Sequence, residues 1–407
     1  MHFRTQPRLP RSLSAIAAGR GISFLGDEVA ILALAFRAKS QLGHLGVAAI
    51  FIAGALPLVL FAPWAGLLVD RLRSRPLLVV TLAVATAISL GLAVADGWWT
   101  VALVALLACA TAVIGPAWQA LVPHLVDPEQ LPRAFGRLQA AASVATVAGP
   151  FVGGLLVWRF GTALPLVVDA ASFAFLAAVA WWIRAERVPA GATGSDRGEA
   201  FKGLTFVARE PVLRALTVLA AAFVCALGMI NVAELFFITV TLHASVLAYG
   251  VIGGLFGIGM LVAASTAGWQ AARVPRSGVL VVAGCVACAV AICCLALVGD
   301  LVEAGVCVVV AGAANAVINV HAISLLTLRS PEALRGRVMA AVQGVISVAA
   351  ILALAVGGVL VSWLTPRAVL LAAGIGALVA LAATAMPLLK VPAPVAEAVV
   401  LDEVGAE

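Results

Sequence analysis

Four acidic side chains lie inside long apolar stretches of this chain: Asp27, Glu28, Asp169 and Glu234. A carboxylate in hydrocarbon costs several kcal/mol unless it is paired, hydrated or protonated, so each is a functional candidate by default. The chemistry open to such a group is proton exchange. Neutral, it lets its surroundings close; ionised, it holds them open to water or binds a cation. Asp27 and Glu234 are the leading proton carriers. Glu28 is the third, pointing about 100° away from Asp27 around a helix, so the two acids do not face one cavity squarely. Polar partners stand at helical spacing: Ser23 one turn before Asp27, Asn231 three residues before Glu234, and Asn315 four before Asn319. The asparagines serve either as cavity lining or as hydrogen-bonded links between helices.

The elements that position these groups follow from composition. Of 407 residues, 64% are hydrophobic and 11% charged, against about half and a quarter in soluble domains. Mean hydropathy is +1.15. Apolar runs of the roughly 20 residues that a membrane helix needs fill nearly the whole length. They predict an all-α membrane protein with spans over 13–36, 45–69, 76–95, 99–124, 138–158 and 162–183, then 213–242, 246–271, 278–298, 302–327, 338–362 and 367–389. The first run carries Arg20, Asp27 and Glu28 and continues past Phe36, too long for a cleaved leader, so it reads as a retained span.

Basic residues set the orientation. Arg37, Lys39, Arg159 and Arg367 fall in loops of one side and Arg20 inside the first helix; all the other lysines and arginines fall on the side of the termini. That bias predicts cytoplasmic termini in a bacterial inner membrane. It also accounts for the net charge of +6 without a nucleic-acid partner. The seven cysteines all fall inside spans, and Cys285-x-x-Cys288 has no histidine nearby, so they read as packing residues rather than a metal or redox site. His2, His44, His124, His243 and His321 are scattered, with only His321 near a conceivable cavity. There is no nucleophile–base set, no phosphate-cradling G-x-x-x-x-G-K-[S/T] loop and no sizeable soluble domain. No enzyme activity, metal or cofactor is expected.

The chain repeats itself. "PEQLPRAFGR…VGGLLVW" at 128–158 returns as "PEALRGR…VGGVLVSW" at 331–363, an offset near 203 residues, and Gly66-x-x-x-Asp70-Arg71 returns as Gly268-x-x-x-Ala272-Arg273. The expected organisation is a six-helix bundle over 1–183, a linker over 184–212, a second bundle over 213–389 and a tail over 390–407 that reads as disordered. Part of the linker, Glu199 to Arg209, suits a short amphipathic helix at the membrane interface as well as a plain solvated segment. Two similar bundles that rock about a shared site expose it to either side in turn, which is how many transporters are built.

Gly66-Leu67-Leu68-Val69-Asp70-Arg71-Leu72-Arg73-Ser74-Arg75 resembles the G-x-x-x-D-R-x-x-R-R loop signature of the major facilitator superfamily. The resemblance implies a latch formed by Gly66, Asp70, Arg71 and Arg75 that holds the outward-facing state. Gly66 would permit close helix approach and Asp70 would sit at a helix N-terminus. Gly136-x8-Ala145-x3-Gly149-Pro150-x2-Gly153-Gly154 resembles the antiporter signature of the same superfamily, with Ala145 where a glycine is usual. Gly149 and Gly153 make a small-x3-small face, and Pro150 removes a backbone bond and kinks the helix. The opening Arg20-Gly21-Ile22-Ser23-Phe24-Leu25-Gly26-Asp27, together with Asp169-Ala170-Ala171-Ser172-Phe173 and Arg335-Gly336-Arg337-Val338, resembles the drug:proton antiporter branch that includes macrolide efflux proteins and the enterobactin exporter. The resemblance covers essentially the whole chain.

It implies twelve helices in two pseudo-symmetric bundles, with spans one, four, seven and ten lining a cavity. Ser23, Phe24, Trp118, Gln119, Asn231, Asn315 and Asn319 are then the candidate substrate contacts, and Asp169, at a recurrent branch position, reads as a structural hydrogen-bonder. The expected function is proton-coupled export of amphipathic small molecules, with the substrate, protons and the lipid bilayer as partners and a monomer as the working unit. The alternative is an importer or facilitator of a metabolite on the same fold. One charge crossing ~100 mV supplies ~2.3 kcal/mol, enough for a gradient of roughly forty-fold without ATP.

Overall fold

The computed structural model describes residues 11–127, 130–183, 197–267, 269–270, 277–332 and 334–390. In hydrocarbon a chain must satisfy its backbone groups within each segment, so apolar runs rich in Ala, Leu and Val become helices. The first helix, Arg11–Leu60, is broken at Gly43, whose φ of 69° and ψ of −152° belong to no helix. Unbroken, its 50 residues would run ~75 Å, far more than the ~30 Å hydrocarbon core. It therefore supplies spans one and two, and Ala62–Arg71 continues span two past a break at Phe61. Spans three to six are Ser74–Val94, Trp98–Leu121, Leu131–Phe160 and Ala163–Trp182; spans seven to twelve are Pro211–Phe236, Val246–Ser265, Ser277–Leu297, Leu301–Arg329, Arg335–Trp363 and Pro366–Leu389. Among the described residues eleven helices are long and apolar enough to cross a membrane, and the first of them crosses twice. The total is twelve.

An even number of crossings puts Arg11 and Lys390 on one face of the bundle, called the near face below. In the first half the opening helix packs on spans four, five and six, and span three on four and six. In the second half span ten packs on eight and nine, span seven on eleven and twelve, and span nine on twelve. Two seams join the halves, span five against span eight and span two against span eleven. The repeat exchanges these two seams, as a two-fold relation requires. A helix over Arg197–Arg209 precedes span seven and lies on protein: a Cβ on Gly203 would stand 2.4 Å from the Arg337 carbonyl oxygen at the start of span eleven. The linker over 184–196, the tail after Lys390, and Gly268, Ala272 and Arg273 of the second loop copy lie outside the described residues.

Span one, expected to end at Phe36, runs on as helix to Gly43. The reason is a capping contact. Arg37 is 6% exposed. Its guanidinium donates to the Leu92 carbonyl, to Ala95 O at 3.1 Å and to Thr162 Oγ1 at 3.1 Å. Span three ends at Val94, and the last four carbonyls of a helix have no partner of their own. A buried cation is tolerated here because it satisfies them and meets the negative end of the dipole. Arg367 treats span nine alike, donating to Val298 O at 3.0 Å and Ala296 O at 3.4 Å. Arg37→Ala is expected to cost about 1.5–3 kcal/mol through the lost charged hydrogen bonds. A melting temperature in detergent equal to that of the wild type would show that the cap contributes nothing.

Candidate functional site

The seam between spans five and eight is built by glycine on both sides. A Cβ on Gly154 would stand 2.9 Å from Gly250 Cα, and one on Gly250 only 2.4 Å from the Pro150 carbonyl oxygen. Gly253 meets Pro150 Cβ at 2.8 Å, and Gly257 meets Val147 Cα at 2.8 Å. Only residues without side chains let two backbones approach this closely. The other face of span five carries span one. A Cβ on Gly149 would stand 2.3 Å from Glu28 Cβ and 3.0 Å from its Cγ, so the bare glycine is the notch that seats the Glu28 stem. Gly153 lies against Val29 Cα at 3.2 Å. Thus Gly149, Pro150, Gly153 and Gly154 act as one element, with alternate positions facing span one and span eight. Gly136 does not share this role: no atom lies within 4 Å of where its Cβ would be.

Far-face contacts complete the seam. Phe36 of span one meets Tyr249 of span eight edge to face, ring centroids 5.5 Å apart, and His44 lies 4.2 Å from Phe236 of span seven. Lys39 donates to the Thr239 hydroxyl and lies 5.6 Å above the Phe236 ring. Thr239 belongs to a π-helical turn, Phe237–Thr241, that widens the end of span seven. On the opposite seam a Cβ on Gly358 would stand 2.2 Å from Ala48 Cβ. Toward the near face the seam holds a cavity. Near Val147 and beyond it, spans five, eight and ten line this cavity of about 270 Å³, whose polar lining includes Gln139, Ser143, Thr146 and Asn319.

Only Asn319 of the residues expected around a substrate lines this cavity. Its amide is held by Asn315, donating to Asn315 O at 2.9 Å and Oδ1 at 3.0 Å, so this pair braces one helix rather than joining two. Trp118, expected at the substrate, is turned to the interior of its half. It is 2% exposed in the core of the first half, in one cluster with Leu78, Leu82 and Phe173, and its indole Nε1 has no hydrogen-bond partner among the described residues. Ser23 is likewise buried at 2%. Phe24 carries the Arg20 guanidinium 4.3 Å above its ring. Gln119 and Asn231 keep exposed side chains. His321 is buried, 3.3 Å from Gln270 Oε1.

The acids separate as their helical phase requires. Asp27 comes within electrostatic reach of Asp169, Arg20 and Glu28, whereas Glu28 itself turns to span five. Glu234 lies within electrostatic reach of Tyr249, the chain's single tyrosine. None of the three lines the near-face cavity. In the loop signature, no atom lies within 4 Å of a Cβ on Gly66, so the helix approach expected there is absent. Asp70 and Arg71 have exposed side chains, while Arg75 sits 5.2 Å from the Trp181 ring and donates to the Trp181 carbonyl, docking the loop on its own half.

Several contributors lie outside the sequence-based expectation: the anchor Arg37, the Lys39–Thr239 contact and Tyr249. The stripe Gly250-x-x-Gly253-Gly254-x-x-Gly257 was legible as two small-x3-small pairs in span eight. The others carry no local signal.

Comparison with known proteins agrees with this architecture. The family described as transmembrane secretion effector, within the major facilitator superfamily, matches residues 23–404. An uncharacterised transporter of that superfamily from Bacillus subtilis, YfiS, is 24% identical over 377 residues, covering 89% of this chain and 88% of the relative. Macrolide efflux protein A of Streptococcus pyogenes is 28% identical over 162 residues, 38% of this chain and 40% of that protein. In fold, the crystal structure of the nucleoside transporter NupG superposes with a TM-score of 0.77 at 14% identity, covering 94% of this chain and all of that one. With its twelve spans, its two seams and this match along nearly its whole length, the chain belongs to the transmembrane secretion effector family of the major facilitator superfamily, a family of multi-pass membrane transporters.

Proposed function

We propose that this chain exports amphipathic small molecules, such as drugs, natural products or siderophores, by proton antiport through alternating access. The near face is cytoplasmic in a bacterial inner membrane, and the working unit is a monomer whose partners are the substrate, protons and lipid. One observation carries the reading. Span one, which bears Asp27 and Glu28, is seated by Gly149 on the same element that Pro150 and Gly154 press against span eight. A change of charge on span one is therefore felt one helix away, at the seam that must part for the far face to open. The far face is closed by the glycine seam, and the cavity at the near end of spans five, eight and ten is where a cytoplasmic substrate would load. A macrolide efflux protein among the relatives supports an outward direction and an amphipathic cargo.

Everted vesicles test this. With a pH gradient imposed, macrolides and lipophilic cations should collapse the gradient only when the protein is present. Asp27→Asn and Glu234→Gln should each cut proton-driven export at least ~10-fold, a loss of about 1.4 kcal/mol of coupling, with normal insertion. Wild-type export by both variants would end the proton-carrier assignment; uptake into intact cells instead of export would reverse the direction.

A further inference from the structure

We propose that Asp169 and Asp27 form a proton-binding pair within the first half, on the reading that this transporter is proton-coupled. Asp169, on span six, is 1% exposed. Its Oδ2 accepts a hydrogen bond from the Ser89 hydroxyl of span three at 2.9 Å. Its Oδ1 is fully buried and has no hydrogen-bond partner among the described residues. The Ser172 hydroxyl, which faces Gly26 together with Oδ1, is already committed, donating to the Asp169 carbonyl at 2.7 Å. An ionised carboxylate with a single donor and a bare oxygen in a low-dielectric interior is far from compensated. A carboxylic acid needs less: one acceptor for its own O–H and one donor to its carbonyl oxygen. Ser89 supplies the donor.

The bare oxygen points at span one. A Cβ on Gly26 would stand 2.9 Å from Asp169 Oδ1 and 2.7 Å from Ser172 Oγ, so the helices touch there only because Gly26 has no side chain. Asp27 follows directly and is within electrostatic reach of Asp169. The charges facing the pair are few. Span one adds Arg20 and Glu28, span three offers the Ser89 hydroxyl, and span six the engaged Ser172. Among the described residues Arg20 is the one cation acting on Asp27, and it lies over the Phe24 ring. One positive charge balances one carboxylate, so a second acid beside it holds a proton. Two neighbouring carboxyls that cannot both ionise share a proton for the same reason. In the exchange an O–H bond on Asp169 Oδ1 breaks and one forms on Asp27, with no other bond changed. Asp169 is then the proton's resting place behind span one, and Asp27 its route outward.

A structural role and a proton-holding role part company at Asp169→Asn. The amide keeps an acceptor for Ser89 and a donor at the Oδ1 position at nearly equal volume, so a hydrogen-bonding role alone predicts an unchanged protein. The test is infrared spectroscopy of the purified full chain in phospholipid nanodiscs, titrated with protons and needing no transported substrate. The wild type should show the carbonyl band of a buried neutral carboxyl; Asp169→Asn should lose it, and Asp27→Asn should shift it because its exchange partner is gone. Should Asp169→Asn fail to fold, Ser89→Ala removes the one donor to Oδ2 and should shift the same band. An unchanged band in Asp169→Asn, a band lost only in Asp27→Asn, or no shift in Ser89→Ala each overturns the pair. The transport assay reports separately: if Asp27→Asn and Glu234→Gln export normally while the band behaves as described, the antiport reading falls and the site stands.

Discussion

Replacing Gly250 by valine is expected to hold the halves apart at the far face and to abolish transport. Even the first atom of the new side chain would lie 2.4 Å from the Pro150 carbonyl oxygen and 2.9 Å from Gly154 Cα. Both obstacles are backbone, so no rotamer change relieves the clash. Overpacking of this kind costs about 1–3 kcal/mol where neighbours yield, and more where they do not. Here the cost falls on one conformation alone, since the contact exists only when spans five and eight are together. A penalty of ~3 kcal/mol on one of two states shifts their ratio more than a hundred-fold. Fold and insertion should survive, because each half keeps its own core. Spin labels at Arg159 and His243, both exposed near the far-face ends of these helices, should report longer distances. An unchanged distance distribution together with wild-type transport would show that the glycine stripe is not the closure.

Gly312→Val should act on folding instead. Spans eight and ten cross backbone to backbone inside the second half. A Cβ on Gly312 would stand 2.1 Å from the Phe256 carbonyl oxygen, and one on Gly259 2.2 Å from that of Val309. This contact is needed in every conformation of the transporter, so no state escapes the clash. In lipid, helix association rests on close van der Waals packing, because the acyl chains match Leu and Val in apolarity. Forcing these axes apart removes that packing along the whole pair. Little monodisperse protein should be recovered in detergent, and the remainder should melt well below the wild type. Gly312→Ala should show the same defect in milder form. Wild-type melting by the valine variant would mean that the two spans are free to part.

These two glycines look alike in the chain and differ in consequence, which marks the limit of what local pattern conveys. The antiporter-like signature was legible, and its Gly149, Pro150, Gly153 and Gly154 meet in one place. Gly136, part of the same signature, stands in open space. The spacing records which residues are small but not what faces them. Trp118 illustrates the converse: an aromatic expected to face a cavity is turned into the core of its own half.

What the residue order determined by itself was the set of spans, their duplication and the placing of acids within oil. Hydropathy is local, and lipid leaves a spanning segment no choice but to be helical, so these properties need no knowledge of the partners. How each helix is turned about its axis was left to the tertiary structure. In water an amphipathic stripe would announce the buried face, but here the core and the lipid are both apolar and the stripe is absent. Only packing could decide that Glu28 rests on Gly149, that Arg37 closes the end of span three, and that Asp27 comes within electrostatic reach of Asp169 across a helix pair joined at Gly26. Those pairings join residues far apart in the chain, and it is the shapes of small side chains, rather than any polarity pattern, that bring them together.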